Sequence, residues 1–236
     1  MGKPMETLAK KLGYTPNIPR SPLLLVPPVD SDLGDVLNTV KKNSLHGKED
    51  LSWTTPEGSI LIFKTIRFGD AGFLEDFESQ VAEYVASARE SCAGLCALKV
   101  YAGGFQTDLG RYRGAFQQAL WLVGQFPDPQ EAVVFLYEHI LEYLASRIPR
   151  AELVTALDPL IRLFPQDATW NLRSSTEALV DSALNGKEAA ARLGVHRNTF
   201  SARMEKISRL LGRDPRRDPR ALDLLSLLAR YLEMRK

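Results

Sequence analysis

The sequence predicts an α+β region followed by an all-α region, and three observations support this division. Runs rich in β-branched and aromatic residues occur only before about Tyr137, whereas later segments show helical periodicity alone. From Lys187 to the end, thirteen basic and six acidic residues give a charge of +7. Because the whole chain carries +1, the preceding residues carry −6. We therefore predict two domains, residues 1–137 and residues 138–236.

The first domain is predicted to contain strand, helix, hairpin, helix, strand and helix, in that order. This β-α-β-β-α-β order is the ferredoxin-like arrangement, in which an antiparallel sheet carries helices on one face. An apolar run near Val134 is a candidate for one more strand. The segments in chain order are 23–29 (strand), 31–42 (helix), 51–55 and 59–66 (hairpin around the turn 56–58), 72–91 (helix), 96–104 (strand), 111–126 (helix) and 132–137 (candidate strand).

The second domain is predicted to be helical throughout. Residues 139–149, 151–164 and 174–186 have apolar positions at helical spacing. The last helix is predicted to start at Asp218 and Pro219, because an N-cap residue is followed there by a proline at the first helical position. Its leucine-rich face must pack on the body of the protein or on another chain.

Two short helical patterns meet at Gly194, between residues 187 and 211. Glycine is the residue best suited to the left-handed conformation that ends a helix. The second helix is predicted to start at His196 or Arg197. Its apolar positions are spaced by four, three and four residues, and they are Phe200, Met204, Ile207 and Leu211. This pattern is typical of a helix-turn-helix.

The exposed side of the second helix carries side chains suited to duplex DNA. Arginine can donate two hydrogen bonds to guanine, and asparagine can bond adenine in the same bidentate way. Other cations fix the register on the backbone phosphates without reading sequence. The predicted base-reading residues are Arg197, Asn198, Thr199 and Ser201, and the predicted phosphate-binding residues are Lys187, Arg203, Lys206 and Arg209. An ordinary helical hairpin with surface charges is the alternative interpretation.

The segment AAARLGVHRNTFSARMEKISRLLGRDP resembles the C-terminal helix-turn-helix of the PucR/CdaR family, regulators of purine and sugar-diacid catabolism. The shared features are the alanine-rich first helix, V-H-R-N-T, Arg203, Ile207, and L-G-x-D-P ending at Pro215. Phe200 replaces the usual leucine, and Ser201 and Ala202 replace a commoner pair. The resemblance implies a DNA-binding transcription regulator. Since helix-turn-helix proteins commonly bind paired half-sites, we expect a homodimer. The start of the sequence lacks the apolar segment of a signal peptide, so we expect the protein in the cytoplasm.

A weaker resemblance covers LAKKLGYTPNIPRSPLLLV, which is similar to the entry of the family's degenerate GGDEF-like middle domain. We expect the family's N-terminal sensing domain to be absent from this chain, which leaves a small-molecule effector uncertain. A diguanylate cyclase would need paired acids in the hairpin, but that turn offers Glu57 alone. Asp32 is more simply a helix cap. We therefore predict no enzymatic activity.

The remaining alternatives are a nucleotide-binding or protein-interaction module derived from the GGDEF-like domain, and a scaffold that docks a partner through the last helix. No P-loop, Rossmann or metalloprotease motif is present. Cys92 and Cys96 lack a second ligand pair, so we interpret them as small thiols rather than a zinc site. No apolar run is long enough to span a membrane. We therefore expect no metal, no cofactor and no membrane association.

Overall fold

The computed structural model describes residues 14–70, 72–91, 97–164 and 166–234, apart from the side chains of 166–171. The chain divides into two compact units, Met1–Ile140 and Leu141–Lys236. The interpretation of Cys92 and Cys96 falls outside the described residues, as do the first six residues (8–13) of the segment that resembles the entry of a GGDEF-like domain.

The first unit contains five strands and three long helices among its described residues. Its elements are β1 (Arg20–Val26), α1 (Leu33–Lys42), β2 (Leu51–Thr54), β3 (Ile60–Thr65), α2 (Phe73–Glu90), β4 (Lys99–Ala102), α3 (Tyr112–Gln125) and β5 (Val133–Phe135). Short 3₁₀ turns precede α3 and follow β5.

The sheet has the strand order β2-β3-β1-β4-β5. β1 pairs antiparallel with both β3 and β4, and β2 pairs antiparallel with β3, as the ferredoxin-like prediction requires. β5 instead pairs parallel with β4. The prediction of an antiparallel sheet was therefore wrong at this edge, where α3 provides the crossover that a parallel pair needs. The sheet is mixed, and the predicted α+β class is confirmed.

One face of the sheet is covered by α1 and α2. The register pairs Leu23 with Ile62 and Leu25 with Ile60, and these four side chains are almost completely buried. Residues of both helices join them in one apolar cluster that includes Val36, Val40, Phe77, Val81 and Tyr84. Phe73, the first residue of α2, is 61% exposed and lies outside this cluster.

The other face of the sheet is covered by α3, which corrects the prediction of helices on one face only. The ring of Tyr112 stacks on Phe63 with 4.5 Å between centroids. The helix also approaches closely at Gly103, where an added Cβ would lie 2.5 Å from the carbonyl oxygen of Ala115. A parallel β4-α3-β5 crossover places its helix against a sheet face. Here that face is opposite α1 and α2.

The predicted hairpin and the predicted role of Asp32 are both confirmed. The Asp32 carboxylate accepts a hydrogen bond from the backbone N–H of Asp35 (3.0 Å) at the start of α1. In the hairpin turn, Gly58 has a φ of 82°, and the N–H of Thr55 donates to the carbonyl of Ser59 (2.7 Å). Asp32 thus acts as the cap of α1.

The second unit is helical throughout its described part. Its helices are α4 (Ile140–Ser146, which begins at the division), α5 (Arg150–Ile161), α6 (Gln166–Asp181), α7 (Gly186–Arg192), α8 (Arg197–Leu211) and α9 (Pro219–Met234). The predicted start of α9 is confirmed, since the Asp218 carboxylate accepts from the N–H of Arg220 (3.0 Å). Leu225, Leu228 and Tyr231 pack in the core of this unit. The apolar face of α9 therefore packs within its own domain. This was one of two predicted possibilities, the other being contact with another chain.

Neither a membrane-spanning helix nor a metal-binding cluster occurs in the described ranges. No described helix is both long enough and apolar enough to cross a bilayer. No group of three or more histidine, cysteine, aspartate or glutamate side chains is arranged there to hold a metal ion.

Candidate nucleic-acid interface

The first helix of the predicted helix-turn-helix is short and capped. The Asn185 side-chain oxygen accepts hydrogen bonds from the backbone N–H groups of Lys187 (3.1 Å) and Glu188 (3.4 Å). Both donors would otherwise lack partners at the start of α7. Ala189 and Ala190 are buried, and their small side chains let the second helix approach. This cap was not predicted, although asparagine before an alanine-rich run is a recognised signal.

Gly194 forms the turn, as predicted. Its φ of 62° lies in the left-handed region, where a residue with a side chain is strained. The N–H of Val195 donates to the carbonyl of Ala190 (3.0 Å), which satisfies a carbonyl at the end of α7. The half-buried Val195 side chain packs against the core of the second unit. The turn is thus fixed by backbone hydrogen bonds and by packing.

The second helix, α8, is held by its apolar side and closed at both ends. Phe200, Met204 and Ile207 are each at most 5% exposed. At the start, Nδ1 of His196 accepts a hydrogen bond from the backbone N–H of Asn198 (3.2 Å) and so caps the helix. At the end, Gly212 takes a left-handed φ of 70°. The rotation of α8 about its axis is therefore set by the core.

This rotation leaves the first turn of α8 open to solvent. Arg197, Asn198 and Thr199 are exposed, and Ser201 is half-buried. All four were predicted to contact bases, and they lie at the start of α8, next to the turn. Their role on DNA stays a prediction.

The predicted phosphate-binding residues lie on both helices. Lys187 is exposed near the start of α7, and Lys206 and Arg209 are exposed on α8. Arg203, also on α8, is half-buried. Nε of Arg209 makes a long contact of 3.4 Å to the carbonyl of Glu205. Their role, too, stays a prediction.

A cavity of about 390 Å³ brings some of these residues together. We call it the basic cavity, and it opens to solvent between the starts of α7 and α8. Its lining residues are Asn185, Gly186, Lys187, Arg197, Phe200, Ser201 and Arg216. Asn198, Thr199, Arg203, Lys206 and Arg209 do not line it. Two predicted base-reading residues and one predicted phosphate-binding residue thus share one depression.

Arg216 was not among the predicted site residues. It follows α8 in the loop 212–218 and is held by Asp214, whose carboxylate accepts from its Nε (2.9 Å) and a terminal nitrogen (2.9 Å). This hydrogen bonding lowers the pKa of Asp214 from its usual value. The only signal for Arg216 in the sequence was its position in the basic C-terminal part of the chain. Helical spacing does not predict where a loop residue such as Arg216 lies relative to α7.

The C-terminal unit contains a segment that matches a known protein family. Residues 172–229 match the model of the PucR C-terminal helix-turn-helix domain. This domain belongs to the PucR family. The resemblance seen in the sequence is confirmed, and a chain with this domain is a DNA-binding transcription regulator.

The chain is also similar in structure to a solved regulator. The regulator of polyketide synthase expression from Bifidobacterium adolescentis aligns with a TM-score of 0.45 at 16% sequence identity. The alignment covers 100% of this chain and 88% of that chain. A search of curated proteins returned no match.

Proposed function

We propose that α8 of the PucR-type domain enters the major groove of duplex DNA and reads it with its first turn. The observation that supports this is the polar first turn of α8, where Arg197, Asn198 and Thr199 are exposed and Ser201 is half-buried, on a helix whose apolar side is fixed in the core. A major groove about 12 Å wide admits one α-helix, and its base edges carry a distinct pattern for each base pair. Small residues at positions 201 and 202 allow close approach to the bases.

The phosphate contacts in this proposal come from both helices. Lys187, Arg203, Lys206 and Arg209 are assigned to backbone phosphates on either side of the groove. Such contacts carry no sequence information, but they set the position and orientation of the recognition helix. They also make affinity depend on salt, because each neutralised phosphate releases counterions.

A homodimer is part of the proposal because helix-turn-helix proteins commonly bind two half-sites about 34 Å apart. The operator is then expected to be a pseudo-palindrome. Binding to the chromosome places the protein in the cytoplasm, and the function is binding rather than catalysis.

We assign the regulated genes to sugar-diacid or purine catabolism, the CdaR and PucR types. This assignment rests on the resemblance of the V-H-R-N-T and L-G-x-D-P segments. Mapping the bound sites on the chromosome tests it, because genes of unrelated pathways beside every site would contradict it. We also propose a GGDEF-like origin for the first unit, and this too rests on a resemblance in sequence. This origin implies no cyclase activity.

The first experiment selects a preferred duplex from a random pool and compares its affinity with that of a scrambled duplex. Arg197→Ala is expected to weaken the preferred duplex by about 1–3 kcal/mol and to reduce the preference. Lys206→Ala is expected to weaken both duplexes alike and to lower the log–log salt slope by about 0.9.

Arg150→Ala is the matched control, since Arg150 is an exposed cation at the start of α5 in the same unit. If Arg197→Ala and Lys206→Ala both bound the preferred duplex as the control does, the recognition-helix assignment would be wrong. Absence of any duplex binding by the parent protein would reject the proposed function altogether.

A further inference from the structure

The basic cavity collects positive charge from three separate segments of the chain. Lys187 comes from α7, Arg197 from the first turn of α8, and Arg216 from the loop after α8. No acidic side chain lines it. Its remaining polar lining consists of Asn185 and Ser201, which can donate hydrogen bonds. The ligand chemistry that fits such a depression is a small anion.

Arg216 is held rigidly at this cavity. Its side chain and its backbone N–H both bind Asp214, with the N–H donating to the carboxylate at 3.0 Å. The two parallel guanidinium contacts form the fork geometry that arginine makes with a carboxylate. The side chain is 31% exposed, so part of the guanidinium is available to a ligand. A guanidinium fixed in this way loses little conformational freedom when it binds a second oxyanion.

We propose that the basic cavity seats one backbone phosphate of the bound duplex, with Arg216 and Lys187 as its cations. This inference rests on the proposed function and adds Arg216 to the phosphate-binding residues. Arg197 lines the same cavity from the first turn of α8. A phosphate held there lies beside the base-reading edge and fixes how far the start of α8 enters the groove.

The test measures the affinity of the full chain for its preferred duplex and for a scrambled duplex across a range of salt concentrations. Arg216→Ala should weaken both duplexes by about the same factor, roughly tenfold, the loss expected for one charge-assisted hydrogen bond. The log–log salt slope should fall by about 0.9, the value for one phosphate. Arg216→Lys keeps the charge but cannot form the fork, so it should retain the slope and lose less affinity.

Arg150→Ala is again the control, and circular dichroism reports whether each variant is folded. If Arg216→Ala is not folded, Arg216→Gln replaces it, because it removes the charge but keeps a side chain that can bond Asp214, and the same loss of slope is expected. An Arg216→Ala variant that is folded and matches the control in both affinity and slope overturns the inference.

The outcomes separate this inference from the proposed function. If the parent binds no duplex, the proposed function fails. If Asn198→Ala changes the preferred sequence while Arg216→Ala behaves as the control, only the role of the cavity fails.

A free phosphate compound could share the same chemistry, so inorganic phosphate is titrated without DNA at constant ionic strength. A rise in melting temperature that Arg216→Ala abolishes, together with unchanged duplex binding by that variant, would assign the cavity to a free anion. That result would overturn the assignment to DNA.

Discussion

The two units use charged side chains in opposite ways. In the sheet unit, Arg20 is completely buried and donates to Tyr112 Oη (2.9 Å), to the carbonyls of Thr15 and Glu49, and to the Glu49 carboxylate. The Asp50 side chain is also completely buried. On α8 the charged residues are mostly exposed and surround a buried apolar side. Charge at Arg20 and Asp50 is buried within the first unit, whereas most of the charge on α8 lies at the surface.

The largest expected effect of this difference is at Asp50. Its carboxylate accepts from Lys64 Nζ (2.8 Å), from the N–H of Thr65 (2.7 Å) and from the N–H of Gly47 (2.8 Å). Asp50→Asn keeps the shape but leaves the Lys64 ammonium, 12% exposed, without its counter-charge. We expect a loss of about 3–5 kcal/mol in the free energy of unfolding.

Urea unfolding followed by the fluorescence of Trp53 and Trp121, both in the sheet unit, measures this loss. The matched control is the double variant Asp50→Asn with Lys64→Met, which removes both charges and should recover part of the stability. A cost for Asp50→Asn no larger than that of an ordinary surface substitution would contradict a structural role for buried charge.

A smaller effect is expected from His46 as pH changes. Burial lowers the pKa of His46 below 6.5, and the neighbouring Lys64 and Lys41 act in the same direction, while Asp50 opposes them. Nδ1 of His46 lies 2.8 Å from the hydroxyl of Tyr84. Because the unfolded chain binds the proton more tightly, stability is fully present above pH 6.5 and is lost as pH falls through the folded-state pKa.

His46→Gln should remove this contribution to the pH dependence. The measurement compares the urea midpoint of parent and variant from about pH 8 down to about pH 5, a range that brackets histidine titration. Parallel pH profiles for the two proteins would show that His46 does not contribute.

The smallest effects on stability are expected at the exposed residues of α8. Arg197→Ala and Asn198→Ala should change the free energy of unfolding by less than about 0.5 kcal/mol, since their side chains are exposed. Met204→Ala is the buried control in the same helix and should cost about 2–5 kcal/mol. Urea unfolding serves again. A large loss in the free energy of unfolding for Arg197→Ala or Asn198→Ala would show that these side chains also stabilise the fold, and would contradict the difference between the two units.

Local features of the fold could be predicted from the sequence, but the arrangement of α3 could not. The cap at Asp32, the start of α9 and the order of the elements along the chain depend on spacing and turn residues, which the sequence displays. The apolar stripe of α3 shows that this helix is buried on one side. It does not show which face of the sheet receives it, because both faces of β1 and β3 are apolar.

The same limit applies to the site. The buried positions Phe200, Met204 and Ile207 follow from helical spacing, and the turn follows from Gly194, so the orientation of α8 was predictable. The basic cavity requires the loop after α8 to return towards the start of α7. That return depends on tertiary packing and on the contact between Asp214 and Arg216, and no periodic pattern encodes it.

The caps at His196 and Gly212 have a thermodynamic consequence for operator binding. α8 is fully wound in the protein alone, with its first and last turns both closed. Association with DNA therefore carries no entropic cost for forming this helix. Coupled folding on DNA would bury a large additional surface and give a strongly negative heat-capacity change. For this protein, calorimetry should show a heat-capacity change that reflects only the surface covered by the duplex.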